Sequence, residues 1–474
     1  MRKPDLPKCD AVVVGSGPNG LAAAIRLAQA GRSVVVLEAA PVPGGGVRSA
    51  ELTLPGFVHD VCASVLPMAA CSAYLNMLPL HKHGLEWMYP PAALAHPFDD
   101  GTAALLYKSI PETAAALGRD AEGYKALVGK LVEKWEELFG AALAPIGRLR
   151  SPFLMARFGL VAMRSVRSVA RAYFRTEQAQ ALFAGIGGHS MLPPEAIASA
   201  APTLVLAVAG HAKGWPFARG GSQQLTNALV SHLKFLGGQV LTDWKVESLE
   251  EVRQFRTVML DITPRQLLAL AGNRLPGRFR SRLERYRYGM GVFKVDWALR
   301  EPVPWKARVC RLAGTLHLGG SLDEISDSER RVWHRKVPVR PFVIFTQPTL
   351  FDPSRAPAGQ HIAWGYCHVP NGYDGNMTEA IERQVERFAP GFRDCILARQ
   401  AMGPAELENH NANLIGGDIG GGAPTIDQLF FRPTMRLYRT PLKGMYLCSS
   451  STPPGPGVHG LCGFFAAELA LKNA

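Results

Sequence analysis

Several things are scarce in this sequence. Its eight cysteines contain no C-x-x-C or C-x4-C pair, which disfavours a redox-active dithiol, a zinc knuckle and a disulfide framework; small buried thiols in a reducing compartment are expected. Charged residues are 19%, below the roughly 25% of an average soluble domain, while hydrophobic residues reach 47%, and this balance excludes wholesale disorder. Long hydrophobic runs are missing too. The apolar stretch 196–212 holds Pro202 and His211 and falls short of the ~20 residues of a membrane-spanning helix. A strand-like run begins at Ala11 and leaves no room for a separate apolar targeting segment, so a cytoplasmic protein is expected. Residues 138–176 carry no acid at all.

Glycine, by contrast, is plentiful, with 48 among 474 residues, and the chain carries a net charge of +13. The length is enough for about three domains of ~150 residues. The charge points to an anionic partner, an anionic cofactor or an anionic lipid surface, and its distribution must decide.

The first forty residues carry the sharpest signal. A β-like run, Ala11 to Val14, is followed by Gly15-Ser16-Gly17-Pro18-Asn19-Gly20, an apolar helical stretch to Ala30, a stop at Gly31 and a second buried strand ending at Glu38. Gly15 allows the tight turn, Gly17 lets the backbone approach a pyrophosphate, and Gly20 lets the helix pack on the strand. The positive helix end favours the phosphate, and Glu38, 18 residues after Gly20, is placed to accept both ribose hydroxyls of an adenosine. Gly15, Gly17, Pro18, Asn19, Gly20, Glu38 and Ala39 are therefore expected at a dinucleotide. A second glycine cluster, Gly44-Gly45-Gly46, with Arg48 suits the longer flavin dinucleotide, since amides and a guanidinium can hold phosphate and ribityl oxygens; a plain surface loop is the alternative.

These blocks, with Gly214-Trp215-Pro216-Phe217-Ala218-Arg219-Gly220-Gly221-Ser222 and the C-terminal Gly444 to Gly463, resemble the FAD-dependent oxidoreductases of the phytoene desaturase type. The nearest likeness is to the phytoene dehydrogenase-like group within the flavin amine oxidase superfamily. That group also contains pyridine nucleotide-disulphide oxidoreductase domain-containing proteins without the redox dithiol. The resemblance implies an α/β fold: a Rossmann-like FAD-binding domain of the GR2/amine-oxidase type, with an interleaved α+β substrate domain. The expected boundaries are 1–85, 214–265 and 405–474 for the FAD domain, and 86–213 with 266–404 for the substrate domain.

It further implies that Val246 meets the adenine through its backbone, and that Gly455, Gly457, Val458, His459 and Gly460 cap the flavin ring and ribityl chain. His459 is either a hydrogen-bond donor to the flavin edge or a structural histidine. Between Val246 and Asp261 the chain is shorter than relatives that carry a β-hairpin there.

Chemistry points to Lys294, in Tyr288-Gly289-Met290-Gly291-Val292-Phe293-Lys294-Val295-Asp296-Trp297, which resembles the segment of flavin amine oxidases where a lysine holds a water near flavin N5. The plainer reading is a lysine satisfied by a carboxylate such as Asp296. Trp215 and Phe217 are either pocket wall or packing aromatics. No residues stand out as a metal cluster, and the segment 408–420 lacks the strand and helix of a second dinucleotide fold, so dioxygen or a quinone is expected as electron acceptor rather than resident NAD(P)H.

The acid-free segment holds Arg148, Arg150, Arg157, Arg164, Arg167, Arg171 and Arg175. The last four follow a helical spacing, so the segment is either a peripheral contact with the inner face of an anionic membrane or a solvated helix face. Nucleic acid is not expected, because no RRM, KH or zinc-finger pattern accompanies the arginines.

The activity implied is hydride transfer between flavin N5 and a lipophilic, polyene or isoprenoid, substrate, with desaturation or saturation of C–C bonds. Alternatives are a flavin amine oxidase-like enzyme, a redox-neutral flavin isomerase, and a non-catalytic lipid carrier resembling Rab GDP dissociation inhibitors.

Overall fold

Five short strands, every one rich in branched or apolar residues, form a fully parallel sheet in the order Met445–Leu447, Thr257–Leu260, Ala11–Val14, Val34–Leu37, Gln239–Leu241. The structure, a computed structural model, describes residues 6–145 and 151–473. The first strand reads Ala-Val-Val-Val with all four side chains buried, as a sheet covered on both faces demands. Helices Pro18–Gln29, Gln223–Phe235 and Leu461–Lys472 cover one face. Gly463 lets the last of these lie against the first: a Cβ there would fall within 1.7 Å of the Asn19 carbonyl oxygen. The chain leaves Ala11–Val14 for one neighbour and later fills the other side, so the carboxyl end of this strand is a topological switch point, where open α/β sheets bind ligands.

A second sheet has seven strands in the order Ile396–Met402, Gly291–Leu299, His361–Val369, Val343–Thr346, Ala313–Leu318, Ala92–Pro97, Ala103–Tyr107. All its pairs are antiparallel except Ala313–Leu318 with Ala92–Pro97. Its two faces differ. Phe293, Val295, Trp297 and Phe345 pack against Ile381, Val385 and Phe388, of which the last three lie on helix Thr378–Phe388. The intervening residues Lys294 and Asp296 turn the other way, as the two-residue period of a strand requires. Over that second face lies a helical layer that includes Pro152–Ala162, Val166–Tyr173, Glu177–Gly188 and Ala200–Ala212.

The arginine segment is not one helix. Helix Pro152–Ala162 ends before Arg164, and Ser165 caps a new helix, Val166–Tyr173, by accepting the Ser168 N–H at 3.1 Å. Arg164 turns back on Ser168, while Arg167 and Arg171 pair with Asp323, and Arg167 also with Glu195. The single arginine face expected from the spacing is therefore broken, because a serine cap outweighs side-chain periodicity. Arg148 and Arg150 lie outside the described residues. Among the described residues no helix is long and apolar enough to cross a membrane.

Candidate functional site

A continuous cavity of about 1320 Å³ runs from the switch point of the parallel sheet to the space between the seven-stranded sheet and its helical layer. It exceeds the roughly 300–1,000 Å³ of an ordinary ligand pocket. At its start the turn Gly15 to Asn19 meets the cavity, with Gly15 at φ +100°. Helix Pro18–Gln29 has no side-chain cap, so its amide-rich, partly positive end is left for an anion. Glu38 stands beside it, accepting from the Ser16 N–H at 2.9 Å, the Ser16 hydroxyl and the Ala40 N–H at 2.9 Å. Ala39 and Val246 line the same end.

Gly20 does not reach the cavity. It donates its N–H to Asp261 Oδ2 at 3.0 Å, and a Cβ there would stand 2.1 Å from the Gly15 carbonyl oxygen. Asp261 is the residue that sequence reasoning missed. It follows strand Thr257–Leu260, lines the cavity, and touches the glycine turn, where a Cβ on Gly17 would meet its carboxylate at 2.8 Å. Burial pushes its carboxyl up to about 7, against the opposing Gly20 hydrogen bond. An acid at the end of an apolar run was the available signal.

Gly45, Gly46 and Arg48 continue the wall. Gly45, at φ +54°, approaches Gly17 so closely that a Cβ would lie 3.1 Å from its Cα. Arg48 donates to the Gly45 and His410 carbonyls. Walls of bare backbone around an uncapped helix end, an acid and a half-buried guanidinium fit an extended dinucleotide such as FAD, with Gly15 to Asn19 for phosphate and Glu38 for ribose.

At the C-terminal turn the expected set divides. Gly457 and Val458 line the cavity, whereas Gly455, His459 and Gly460 do not. His459 is fully buried; its Nδ1 accepts the Leu461 N–H at 3.0 Å and its carbonyl accepts the Ser72 hydroxyl at 2.7 Å. Burial lowers its imidazole to about 4, so it is neutral, with Nδ1 accepting inside the turn and the proton on Nε2, and it lies off the cavity lining. Gly460, at φ +69°, starts helix Leu461–Lys472. Arg432, unremarked in the sequence, is buried on the cavity wall and donates to the Gly420 carbonyl and the Tyr286 hydroxyl.

Farther along, Lys294 faces the cavity at 3% exposure. Its Nζ donates to both Asp296 oxygens, at 2.6 and 2.5 Å, and lies 5.2 Å from the Trp364 ring centre. Asp296 in turn lies 3.5 Å from His59 Nδ1, and His59 Nε2 meets the Thr53 hydroxyl at 2.8 Å. Trp215 lines the cavity; Phe217 does not. Phe217 is fully buried and stacks on Phe351, so it is packing, set by its place in the short strand Phe217–Ala218 paired to Trp87–Met88. Much of the remaining wall is apolar, with Met155 and Phe158 from one helix, Val205 and Leu206 from another, and Met191. All eight cysteines are free, and among the described residues no group of His, Cys, Asp and Glu is arranged to hold a metal.

Known proteins bear on this geometry. A family model described as flavin containing amine oxidoreductase matches residues 19–267. Pyridine nucleotide-disulfide oxidoreductase domain-containing protein 2 of Rattus norvegicus is 25% identical over 98% of this chain and 94% of its own. The lycopene-forming phytoene desaturase of Pseudescherichia vulneris is 24% identical over 97% of this chain and 98% of its own. Among solved structures, an oxidoreductase from Methanosarcina mazei superposes with a TM-score of 0.65 at 16% identity, covering 98% of this chain and 99% of its own.

Proposed function

The chain belongs to the flavin-containing amine oxidoreductase family and is an FAD-dependent oxidoreductase, and from that premise we propose that it desaturates or saturates C–C bonds of an elongated lipophilic substrate. FAD, when bound, supplies the hydride acceptor or donor. The observation that carries the reading is the character of the cavity beyond the nucleotide end. Its walls there include Met155, Phe158, Met191, Val205 and Leu206, and Lys294 is a charged side chain facing it. The carboxylates on the cavity wall, Glu38, Asp261 and Asp418, are each hydrogen-bonded to backbone amides. A cationic amine would meet an ammonium and no free carboxylate, whereas a hydrocarbon chain would meet apolar walls at little desolvation cost.

In this reading Lys294, held by Asp296, keeps a proton donor at the reacting end, and the helical layer excludes water. In the desaturation direction dioxygen or a quinone takes the electrons; in the saturation direction an external two-electron reductant must supply them. The reading includes a lipid surface as substrate source. Helix Pro152–Ala162 sends Met155 and Phe158 to the cavity while Phe153 and Leu160 stand 91% and 78% exposed on its other side, near Arg157.

Anaerobic titration of the purified yellow protein with polyene precursors, retinoids and amines tests this. Flavin absorbance is expected to bleach with an isoprenoid and to stay unchanged with amines; bleaching by amines alone, or protein purified without flavin, would overturn it.

A further inference from the structure

The cavity-side face of the seven-stranded sheet, beneath the helical layer, is a platform whose side chains fall in rows. Strand register sets Thr315 opposite Thr346, Thr346 opposite Trp364, and Trp364 opposite Asp296. In the adjacent row His317 faces Ile344, Ile344 faces Tyr366, and Tyr366 faces Lys294. Residues directly opposed across a pair point to the same side, and Thr315, Thr346, Trp364, Ile344, Tyr366 and Lys294 all line the cavity.

One row has unmet demands. Thr315 Oγ1, Thr346 Oγ1 and Trp364 Nε1 are each buried without a hydrogen-bond partner. Buried polar atoms are nearly always paired, and leaving three unpaired in one stretch of wall costs stability that a bound group would return. An indole N–H can only donate, while a threonine hydroxyl donates and accepts. Together they suit an oxygen, which every one of them can meet as a donor.

The surroundings are uncharged. His189 lines the cavity beside this row and is bonded through Nε2 to His317 Nε2 at 2.9 Å. Burial lowers it to about 3, so it stays neutral. Lys294 and Asp296 are tied to each other. Among the described residues no cation is in hydrogen-bond contact with the threonines to bind a carboxylate.

We propose that Thr315, Thr346 and Trp364 form a subsite for a neutral oxygen function, so that the substrate is an oxygenated lipophile, an isoprenoid alcohol or ketone, rather than a plain hydrocarbon. This rests on the lipophilic-substrate reading above. Strands lie ~4.8 Å apart, so the threonines stand about 10–14 Å across the sheet from the strand of Lys294. The threonines therefore hold the oxygen on the far side of Trp364 from Lys294 and so fix which bond is presented.

The test compares geranylgeraniol with the hydrocarbon of the same skeleton that lacks its hydroxyl, each titrated into the FAD-loaded protein and followed by perturbation of the flavin spectrum. The alcohol is expected to bind about tenfold more tightly, the cost of leaving buried polar groups unpaired. In Thr315→Val/Thr346→Val the two affinities converge, whereas Thr346→Ser keeps the preference; flavin content and far-UV circular dichroism report that the variants are folded. Equal affinities in the wild-type protein, or a preference that survives the double substitution, overturn the subsite while leaving the flavin reading intact. Binding of neither compound, with bleaching by amines, overturns both.

Discussion

Lys294 and Asp296 form a pair at 3% and 0% side-chain exposure, so removing one partner strands the other in a dry interior. Lys294→Met is expected to cost about 3–5 kcal/mol in chemical denaturation, and adding Asp296→Asn to recover much of it; a single variant as stable as wild type would mean that the pair is solvated. Asp261 gives a pH signature. Its folded carboxyl sits at about 7, above the ordinary 3.8, so the stability it contributes is full below pH 3.8 and is lost as pH rises through about 7. In flavin-stripped protein, Asp261→Asn should therefore gain thermal stability relative to wild type between those limits and no more beyond them. Parallel melting curves for the two across that range would refute the assignment. Sequence spacing found Glu38 because one helix and one strand join it to Gly20, but Asp261 is 241 positions from Gly20 and is brought there only by strand pairing.

Between elements, a buried ion pair ties the two sheets' surroundings together. Hairpin Ser49–Glu51 and Val58–Asp60 supplies Asp60, and the turn Pro353–Arg355 supplies Arg355, at 2.9 Å with both side chains wholly buried. Burial alone would raise the Asp60 carboxyl; Arg355 and the hydrogen bonds from Ser64, the Ser222 amide and Ser49 hold it below its ordinary value instead. Arg355→Met leaves that carboxylate uncompensated and is expected to destabilise by about 3–5 kcal/mol, read as a lower denaturation midpoint. A midpoint that does not move would show that water reaches Asp60. Helix breaks were the weak point of periodicity: Arg164, Arg167, Arg171 and Arg175 match one face on paper, yet Ser165 carries a cap signal and the chain obeys it. Capping is a local hydrogen bond, whereas exposed arginines tolerate any face that lets them reach water or an acid.

At the scale of the molecule, the proposed lipid contact predicts that the protein sediments with anionic vesicles at low salt and that Phe153→Ser/Leu160→Ser abolishes this without changing flavin content. Equal sedimentation of wild type and variant would remove the helix Pro152–Ala162 from the surface in question. By itself the sequence determined the nucleotide end: turn, helix, second strand and Glu38 are contiguous, and the glycines are dictated by backbone geometry. It also determined that Lys294 and Asp296 share a side of their strand, because alternation is local. Only the tertiary structure decided what that side looks upon. Thr315, Thr346 and Trp364 belong to three separate strands and mean nothing until register aligns them. Phe217, promising by position, is consumed in packing, since a buried edge strand needs an aromatic to fill it, and His459 gives its Nδ1 to the Leu461 amide inside the turn. Local hydrogen bonding and period are written along the chain; which side chains meet across a cavity is set by burial of apolar surface summed over the whole fold.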